Sequence, residues 1–448
     1  MPSTSHASLT DVLIIGGGPA GSTAGSWLGR QGIDTLICEK ERFPRFHIGE
    51  SLLPNGNGVL REIGVWDKVQ AAGFVKKYGA EFTLPDRSQT VNNVFSHGIV
   101  KGREQTFQVE RARFDKLLLD HAADSGCQVQ QRVAVTQATR QGERWDVIVE
   151  DRDTGESRNV SARWIIDASG RACVMGRTLG IGKETIPYPG RFAVFNHFNG
   201  VPRAAGHEGG NIIIIRLKDA WFWVIPLSDS TTSVGVVAQK GARTDTRESN
   251  ESFFWRKVAE SKFLSDSLAQ ARPSGDYRVE SDYCFSYDSY GQDNVLLAGD
   301  AASFIDPVFS SGVYLALESG LLSAKTIERQ IRKNKAVVSS RVYLCYTSAM
   351  KRRIRTMRLL IESFYDNKSF EVFMFPAPRL RIPAAINSIL AGCTRPPFAV
   401  RWRFWLFRQI CALHKKRAMV PFLNWTRVTR NPKLQPEYKP ETTNGLAR

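Results

Sequence analysis

A glycine-rich segment near the N-terminus has the residue types and spacing that bind the pyrophosphate of a dinucleotide. The apolar run at 11–15 predicts a buried strand, GGGPAG follows at 16–21, and a helical stretch continues over 22–31. A second predicted strand at 34–38 ends in Glu39, at about the spacing of an acid that binds a ribose hydroxyl. A glycine motif between a strand and a helix, with an acid at this distance, predicts a Rossmann-type fold.

Each glycine of this segment has its own physical role. Gly16 would make the tight turn, Gly18 would let the backbone approach the phosphates, and Gly21 would let the helix pack closely on the strand. Gly17 and Ala20 lie between them, near a helix N-terminus whose unpaired N–H groups favour an anion. These five residues form the predicted nucleotide-binding turn.

Three segments farther along the chain resemble the FAD-dependent hydroxylase superfamily. VLLAGD at 295–300 is a buried-strand pattern, and its final Asp300 lies on the ribityl chain of the flavin in that superfamily. WIIDASG at 164–170 resembles the middle motif of the superfamily, and the helical RFD that begins at Arg113 resembles its arginine element. The resemblance implies FAD rather than NAD. No second GxGxxG follows a strand, so reducing power would come from transient NAD(P)H or from a separate flavin reductase.

Four further segments are similar to the flavin-dependent halogenases, in the branch that acts on phenols and pyrroles. They are FPRFHIGESLLP at 43–54, KYGA at 77–80, WFWVIP at 221–226 and DPVFSSGV at 306–313. The resemblance covers about residues 11–425, and the WxWxIP run is its most specific part. It implies that hypohalous acid forms beside reduced FAD from oxygen and a bound chloride or bromide. Glu50 and Val313 are then candidates for cofactor binding on the flavin side.

Lys77 matches the catalytic lysine of the halogenases, the residue directly before the aromatic-Gly-Ala triplet. A buried ammonium could hydrogen-bond hypohalous acid, and a lysine whose pKa is lowered by desolvation could react with it to a haloamine. In either form the halogen is delivered at one place instead of diffusing freely. Lys76 stands next to it, and lysines are common on surfaces, so the assignment depends on the motif.

Ser311 and Gly312 lie where the halogenases hold their halide, by a hydroxyl and by backbone N–H groups. A helix is predicted to begin there, and helix N-termini favour anions. A tight turn without a ligand would explain the same Ser-Ser-Gly sequence. Tryptophan halogenases carry a glutamate just before this segment, whereas Phe309 stands at the matching position here. The sequence offers no replacement base, and phenols and pyrroles are electron-rich enough to react without a strong one.

Trp221 and Trp223 are two residues apart, so their side chains point to the same face of a strand. The patterns at 211–217 and 231–237 predict neighbouring strands of an antiparallel sheet. As ordinary core residues the two rings would only fill space. In the halogenases this run stands between flavin and substrate, where bulky rings prevent direct oxygen transfer to the substrate. We therefore interpret the pair as a wall between the two.

Positive charge is concentrated in the C-terminal part of the chain. The formal net charge is +17, while residues 321–448 hold 26 Lys and Arg against 6 Asp and Glu, a net +20. Basic and aromatic residues alternate over 398–425, as in an interfacial membrane segment, a lid or a solvated helical face. Many halogenases of this branch act on substrates tethered to acidic acyl carrier proteins, and this region would suit such a partner. We expect no nucleic-acid partner, because no nucleic-acid module is recognisable.

The composition is that of a globular protein, with 42% hydrophobic and 23% charged residues. The seven cysteines form no CxxC pair, which indicates neither a metal site nor a disulfide framework. The chain carries no secretory signal pattern at its start and no run of about 18 apolar residues. We expect a cytoplasmic protein, with peripheral membrane contact through the basic region as an additional option.

The predicted fold class is α/β, with a Rossmann-type FAD-binding domain, an antiparallel β substrate-binding sheet and a helical C-terminal cap. The expected parts are FAD-binding segments at 1–182 and 280–330, a substrate sheet at 183–279 to which 75–110 contributes, a basic helical region at 331–430 and a mobile tail at 431–448. Two other functions fit the same fold. A flavin hydroxylase or prenyl-reductase-like oxidoreductase would need neither Lys77 nor the tryptophan pair. A non-catalytic flavoprotein would need no halide segment.

Overall fold

The computed structural model describes residues 8–185, 190–243, 245, 247–281, 284–334 and 338–424. Trp425, the end of the expected basic region and the tail at 431–448 lie outside these residues.

The strands in the described part of the chain all lie before residue 305. They are β1 (Ser8–Ile15), β2 (Thr35–Glu39), β3 (Val75–Lys77), β4 (Gly79–Thr83), β5 (Thr90–Val94), β6 (Thr106–Gln108), β7 (Gln128–Gln131), β8 (Val133–Gln141), β9 (Arg144–Asp151), β10 (Ser157–Asp167), β11 (Lys183–Thr185), β12 (Arg191–Asn199), β13 (Ile212–Arg216), β14 (Ala220–Pro226), β15 (Thr231–Gln239), β16 (Arg272–Pro273), β17 (Arg278–Ser281), β18 (Phe285–Tyr287), β19 (Gly291–Gln292), β20 (Val295–Leu297) and β21 (Ser303–Phe304).

The helices are longest in the C-terminal third. They are α1 (Pro19–Arg30), α2 (Gly56–Glu62), α3 (Trp66–Ala71), α4 (Arg111–Asp124), α5 (Val174–Thr178), α6 (Asn250–Val258), α7 (Lys262–Leu268), α8 (Ser311–Arg332), α9 (Ser340–Tyr365), α10 (Asn367–Met374), α11 (Ile382–Leu390) and α12 (Phe398–Lys416). Short 3-10 helices at Phe95–His97, Gly206–Gly210 and Pro307–Phe309 contribute to the site described below.

The first sheet carries the predicted nucleotide-binding turn. Its strands follow the order β19-β20-β10-β1-β2-β7, and the neighbours from β20 to β7 are parallel. The central strand β1 is apolar because it is covered on both faces, and Val12, Leu13 and Ile14 are fully buried. Helix α1 packs against α4 and α8 on this sheet. The strands predicted at 11–15 and 34–38 therefore form the centre of a Rossmann-type layer.

The second sheet has the order β16-β12-β15-β14-β13-β4-β5, with β17 added beside β12. Its pairs are antiparallel except for β4 and β13, which run parallel. Side chains alternate between two cores: Phe222 and Val224 face α6, while Trp221 and Trp223 belong to the main core. This alternation points the two tryptophans towards the nucleotide-binding layer.

Helices α9 to α12 form the C-terminal cap. Helix α12 packs on α10 and α11, and its buried positions recur every three or four residues from Val400 to His414. Helix α11 in turn contacts the 3-10 helix Phe95–His97. Within the described residues, no helix is long and apolar enough to cross a membrane. The two sheets and the cap confirm the predicted α/β fold class.

Candidate active site

A cavity of about 530 Å³ extends from the glycine turn to the second sheet. At one end it is lined by Gly16, Gly18 and Ala20, and at the other by Trp221 and Trp223. It opens beyond the carboxyl ends of the parallel strands, where open α/β sheets bind their ligands. The cavity therefore joins the predicted nucleotide site to the predicted tryptophan wall.

The glycine turn leaves space for a ligand where a side chain would fill it. Gly16 has φ +102°, and a Cβ there would lie 2.5 Å from the carbonyl oxygen of Ala168. A Cβ on Gly21 would collide with the carbonyl of Gly16, so this position lets α1 approach the turn. Gly18 faces the cavity, with Arg45 Nη2 at 3.5 Å as the nearest atom to a Cβ built there. Gly16 and Gly18 thus border the cavity, whereas Gly21 shapes it from behind.

Glu39 lines the cavity at the end of β2. Its Oε2 accepts the Gly17 N–H at 2.7 Å, and its Oε1 accepts the Glu41 N–H at 2.8 Å. The carboxylate is therefore held rigidly at the position from which a ribose hydroxyl would be bound. Gly17 itself does not line the cavity and acts through this hydrogen bond.

The arginine prediction requires a correction. Arg113 is half exposed and donates to the Ala72 carbonyl at 2.8 Å, away from the cavity. Arg111 lines the cavity instead. Its Nε and Nη2 donate to Asp115 at 2.7 and 2.8 Å, and its Nη1 donates to the Ile48 carbonyl at 2.6 Å. Both arginines lie on α4, two residues apart and hence on different faces, and the aspartate of the motif, Asp115, holds Arg111 at i−4 instead of Arg113.

Asp300, Val313 and Glu50 also line the cavity. Desolvation raises the pKa of Asp300 to about 6, against the charge of Arg111. Glu50 is buried, and its Oε1 bonds His197 Nε2 at 2.7 Å, while Oε2 has no partner among the described residues. A buried oxygen without a partner at a cavity wall indicates a ligand group. Together with the glycine turn and Glu39, this arrangement fits FAD.

The predicted halide segment begins helix α8, which has 22 residues. Ser311 is fully buried, and its hydroxyl has no hydrogen-bond partner in the described part of the chain. Gly312 lines the cavity. Ser310 precedes them with φ 56° and ends the short turn that Asp306 caps by accepting the Val308 N–H at 3.0 Å. An unpartnered hydroxyl beside unpaired helix N–H groups fits a small anion at this position.

The tryptophan wall (Trp221 and Trp223) is buried and borders the cavity. The two ring centroids are 6.0 Å apart. Trp221 Nε1 donates to the Tyr365 hydroxyl at 2.8 Å, and Trp223 Nε1 donates to Ser233 Oγ at 3.1 Å. Gly235 lies beneath Trp223, where any Cβ would collide with the ring. Each ring is therefore fixed by one hydrogen bond, and Trp223 also by close contact with the sheet.

A buried polar network behind the wall was not predicted from the sequence. The Tyr365 hydroxyl contacts both carboxylate oxygens of Asp306, at 2.9 and 3.1 Å. The Arg191 guanidinium lies 3.4 Å from Asp306 Oδ2 and 3.6 Å above the Tyr365 ring. Burial raises the pKa of both Asp306 and Tyr365, so the tyrosine remains protonated and donates to the carboxylate. Tyr365 ends α9, and nothing near it in the sequence indicates this role.

The space beside this network is filled by aromatic rings. Phe309 packs on Phe82 and Phe364, with centroids 5.9 and 5.7 Å away. Phe373 meets Phe82 edge-on at 5.0 Å. Phe309, at the position of the glutamate of tryptophan halogenases, is therefore part of an apolar cluster between the second sheet and the cap.

Lys77 is almost completely buried, with 1% of its surface exposed. Its Nζ donates to Ser51 Oγ at 2.8 Å and to the Leu52 carbonyl at 3.0 Å. Burial alone lowers the pKa of Lys77 to about 7, so both protonation states are populated at neutral pH. Lys77 does not line the cavity, but Ser51 does. Ser51 therefore lies between Lys77 and the cavity.

Comparison with known proteins identifies the family. The family profile described as "FAD binding domain" matches residues 9–332. A 1H-pyrrole-2-carbonyl-[peptidyl-carrier protein] chlorinase of Pseudomonas fluorescens is 34% identical over 395 residues, which cover 83% of this chain and 87% of the relative. A flavin-dependent halogenase of Armillaria mellea is 33% identical over 366 residues, covering 75% and 72%. The chain belongs to the flavin-dependent halogenases.

The fold of the halogenase agrees with this assignment. A solved flavoprotein/dehydrogenase from Cytophaga hutchinsonii is 32% identical and superposes with a TM-score of 0.82, over 91% of this chain and 99% of that one. The halogenase is an enzyme that uses FAD and a halide, as the resemblance implied. The hydroxylase alternative is correspondingly less well supported.

Proposed function

We propose that the halogenase chlorinates or brominates an electron-rich aromatic ring of phenol or pyrrole type, with Lys77 as the residue that receives the halogen. The observation that carries this proposal is the environment of Lys77. It is a buried amine with a pKa near 7, linked by Ser51 to the wall of the flavin cavity. Buried titratable groups with a strongly lowered pKa beside a cavity are candidates for chemistry.

Residues in and next to the cavity would hold the cofactor and the halide. Glu39, Asp300 and Arg111, which line the cavity, would hold FAD, and the cavity-lining Gly312 with the buried hydroxyl of Ser311 beside it would hold chloride or bromide. When bound in its reduced form, FAD supplies with oxygen the oxidising equivalent that converts halide to hypohalous acid. A separate flavin reductase would supply the reduced form, because the sequence has no second nucleotide motif.

The neutral amine of Lys77 can accept the halogen from hypohalous acid. The nitrogen lone pair forms the N–X bond, the O–X bond breaks, and one amine proton leaves with the hydroxide as water. The aromatic ring then takes X from nitrogen and loses a ring proton, and the amine regains a proton. The charged ammonium can instead hold hypohalous acid by a hydrogen bond, and with a pKa near 7 both routes are open to Lys77.

The tryptophan wall would keep oxygen transfer apart from halogen transfer. Trp221 and Trp223 border the cavity on the side of the second sheet, and each N–H is used to fix its ring. Two indoles fixed in this way would block the direct approach of an aromatic ring to the flavin from that side. Hypohalous acid is small enough to pass where the substrate cannot.

A substrate tethered to a carrier protein is supported by the relative from Pseudomonas fluorescens, whose name specifies a pyrrole-2-carbonyl group on a peptidyl carrier protein. The cap supports it by charge. Helix α12 contains five Lys or Arg and no acidic residue. Five of its exposed residues are here called the basic face: Phe398, Arg401, Trp405, Arg408 and Lys416. Basic side chains around exposed aromatics suit an acidic carrier, and they also suit an anionic membrane surface.

Mass spectrometry tests this proposal. The reaction contains the protein, FAD, NADH, a separate flavin reductase and chloride or bromide. The substrates are free phenols, free pyrroles and a pyrrole-2-carbonyl-loaded carrier protein. We expect products with the isotope pattern of the halide, which disappear with Lys77→Ala. Products that gain oxygen instead would favour the hydroxylase, and halogenated products that persist with Lys77→Ala would refute the role of Lys77.

A further inference from the structure

We propose that Ser51 is the positioning residue that presents Lys77 to the flavin cavity, through a hydroxyl that accepts the lysine N–H on one side and faces the cavity on the other. The inference rests on the proposed role of Lys77 and adds a second residue to it. Ser51 stands within the 43–54 segment, where the sequence suggested a function only for Glu50.

A small three-stranded arrangement fixes the two residues relative to each other. Strand β6 pairs with β3 on one edge, with Lys77 opposite Thr106. On its other edge β6 binds the segment at 50–52, since Ser51 bridges Gln108 and the Leu52 N–H donates to the Phe107 carbonyl at 3.0 Å. The lysine side chain crosses β6 to reach the segment beyond it. The backbone of β6 therefore sets the distance between Ser51 and Lys77.

The hydrogen bonds of Lys77 all lead to this segment. Among the described residues, Nζ has two acceptors, Ser51 Oγ and the Leu52 carbonyl, and its remaining neighbour is the Phe95 ring with its centroid 5.4 Å away. Ser51 Oγ uses a lone pair for Lys77, so its own hydrogen is free to donate. Because Ser51 lines the cavity and is 4% exposed, this hydrogen can point only to the cavity or to buried neighbours. The serine is thus the contact between the cavity and the amine.

No charged group near Lys77 forms an ion pair with it in the described part of the chain. The charged or titratable groups around Lys77 are its sequence neighbours Lys76 and Tyr78, Glu50 on the adjoining segment, His97 on the 3-10 helix at Phe95–His97, and His207 and Glu208 on the 3-10 helix at Gly206–Gly210. None of them forms an ion pair with Lys77 in the part of the chain that the structure describes. The protonation of Lys77 is accordingly governed by burial and by its two acceptors.

The hydrogen bond from Lys77 to Ser51 determines in which direction the pKa of Lys77 changes when the hydroxyl is removed. Ser51 Oγ accepts from the amine, and an acceptor favours the charged ammonium over the neutral form. Removing the hydroxyl leaves the buried ammonium with the Leu52 carbonyl alone, so the pKa of Lys77 falls. Whichever form of Lys77 delivers the halogen, the part of the pH profile that depends on it moves to lower pH.

The experiment measures halogen delivery against pH in single turnovers of the holoenzyme with chemically reduced FAD, bromide and a free pyrrole. The readout is halogenated product per FAD oxidised, with escaped hypohalous acid captured by a trap. The limb of the pH profile that depends on Lys77 is the one that vanishes in Lys77→Met. We expect Ser51→Ala to shift this limb down by about one pH unit and to increase trapped hypohalous acid. Ser51→Thr, which keeps the hydroxyl, should restore the wild-type limb.

A matched variant separates the loss of this hydroxyl from general loss of stability. Ser265→Ala also removes a buried hydroxyl, which donates to the Val258 carbonyl at 3.0 Å and does not border the cavity, so its limb should stay in place. Ser51→Cys, nearly isosteric with a weaker acceptor, gives a smaller shift in the same direction if Ser51→Ala fails to fold. An unmoved limb in Ser51→Ala, or an equal shift in Ser51→Thr, would overturn the inference. Normal halogenation by Lys77→Met would instead refute the proposed function.

Discussion

The Trp221 indole donates to the Tyr365 hydroxyl at 2.8 Å and thereby joins two elements that are 144 residues apart. The same hydroxyl donates to Asp306, which caps the turn before the halide segment. One phenol of the C-terminal cap thus connects the tryptophan wall to the start of α8. The cap is a structural part of the site and not only its cover.

Replacing Tyr365 by Phe should destabilise the protein and loosen the wall together. The Trp221 N–H loses its acceptor in a buried position, which costs about 1–3 kcal/mol. We expect this loss in the free energy of unfolding measured by chemical denaturation. A double-mutant cycle with Trp221→Phe isolates the bond, because the part of the cost that belongs to Trp221 should disappear when the indole N–H is already absent, whereas the part that belongs to Asp306 remains. Additive losses in the cycle would mean that the two side chains act independently.

Lys77 should make stability depend on pH in a defined window. Its folded pKa of about 7 lies below the ordinary lysine value of 10.5, so the unfolded chain holds more protons between these two values. Stability relative to Lys77→Met should therefore rise with pH across this window, by on the order of 3 kcal/mol between pH 7 and pH 10. Chemical denaturation of both holoproteins over this range measures the difference. Parallel pH curves would contradict a buried, titrating Lys77.

Truncating both rings of the wall should change the kind of product. In Trp221→Ala with Trp223→Ala, an aromatic substrate gains direct approach to the flavin side, and we expect oxygenated products beside halogenated ones. Mass spectrometry of the two product classes provides the measurement. Trp255→Ala is a suitable control, because that ring packs against the other core of the second sheet. Normal halogenation without any oxygenation in the double variant would show that the rings are not a barrier.

Ser311→Ala should weaken halide use without changing the fold of α8. A hydrogen bond from a hydroxyl to an anion contributes about 1.5 kcal/mol, which corresponds to roughly a tenfold increase in the KM for chloride or bromide. Halide titrations at saturating aromatic substrate measure this change. Ser323→Ala, on the same helix and fully buried but bonded to the Gly320 carbonyl, is the matched control. An unchanged halide KM in Ser311→Ala would remove this serine from the halide site.

Charge reversal on the basic face should separate tethered from free substrates. With Arg401→Glu and Arg408→Glu we expect the KM for a pyrrole-2-carbonyl-loaded carrier protein to rise about tenfold at low salt, and less at high salt. The KM for a free pyrrole should be unaffected. Arg341→Glu, an exposed arginine near the start of α9, provides a control for net charge. In the contrary outcome, the same variants lose binding to anionic vesicles while the KM for the carrier protein stays unchanged. That outcome would assign the basic face to a membrane surface.

Local patterns predicted those parts of the site whose residues are close in sequence. The strand, turn and helix around Gly16 are contiguous, and Trp221 and Trp223 share a face because the strand repeat is two. The Ser311 segment likewise opens a helix, as its sequence suggested. In these cases the backbone geometry alone determines where the side chains point.

The remaining parts depend on pairings that the sequence does not reveal. Arg113 was predicted at the cavity, yet Arg111 lies there, because the rotation of α4 is set by its packing on α1. Ser51 meets Lys77 only because β6 lies between them, and Tyr365 reaches Trp221 only through the docking of the cap. Each of these contacts joins segments at least 25 residues apart in the chain.

The fit of Trp223 against Gly235 has a consequence for the evolution of this enzyme. Since Gly235 has no side chain, the indole lies directly on the β15 backbone, and a Cβ at this position would also come within 2.5 Å of Phe195 Cβ. An alanine at position 235 would displace the Trp223 ring from this contact. Under the proposed role of the wall, a single methyl group on Gly235, which does not border the cavity, would shift the balance between halogenation and oxygenation. The selectivity between these two reactions could then be altered by substitution at Gly235 as well as at Trp221 and Trp223.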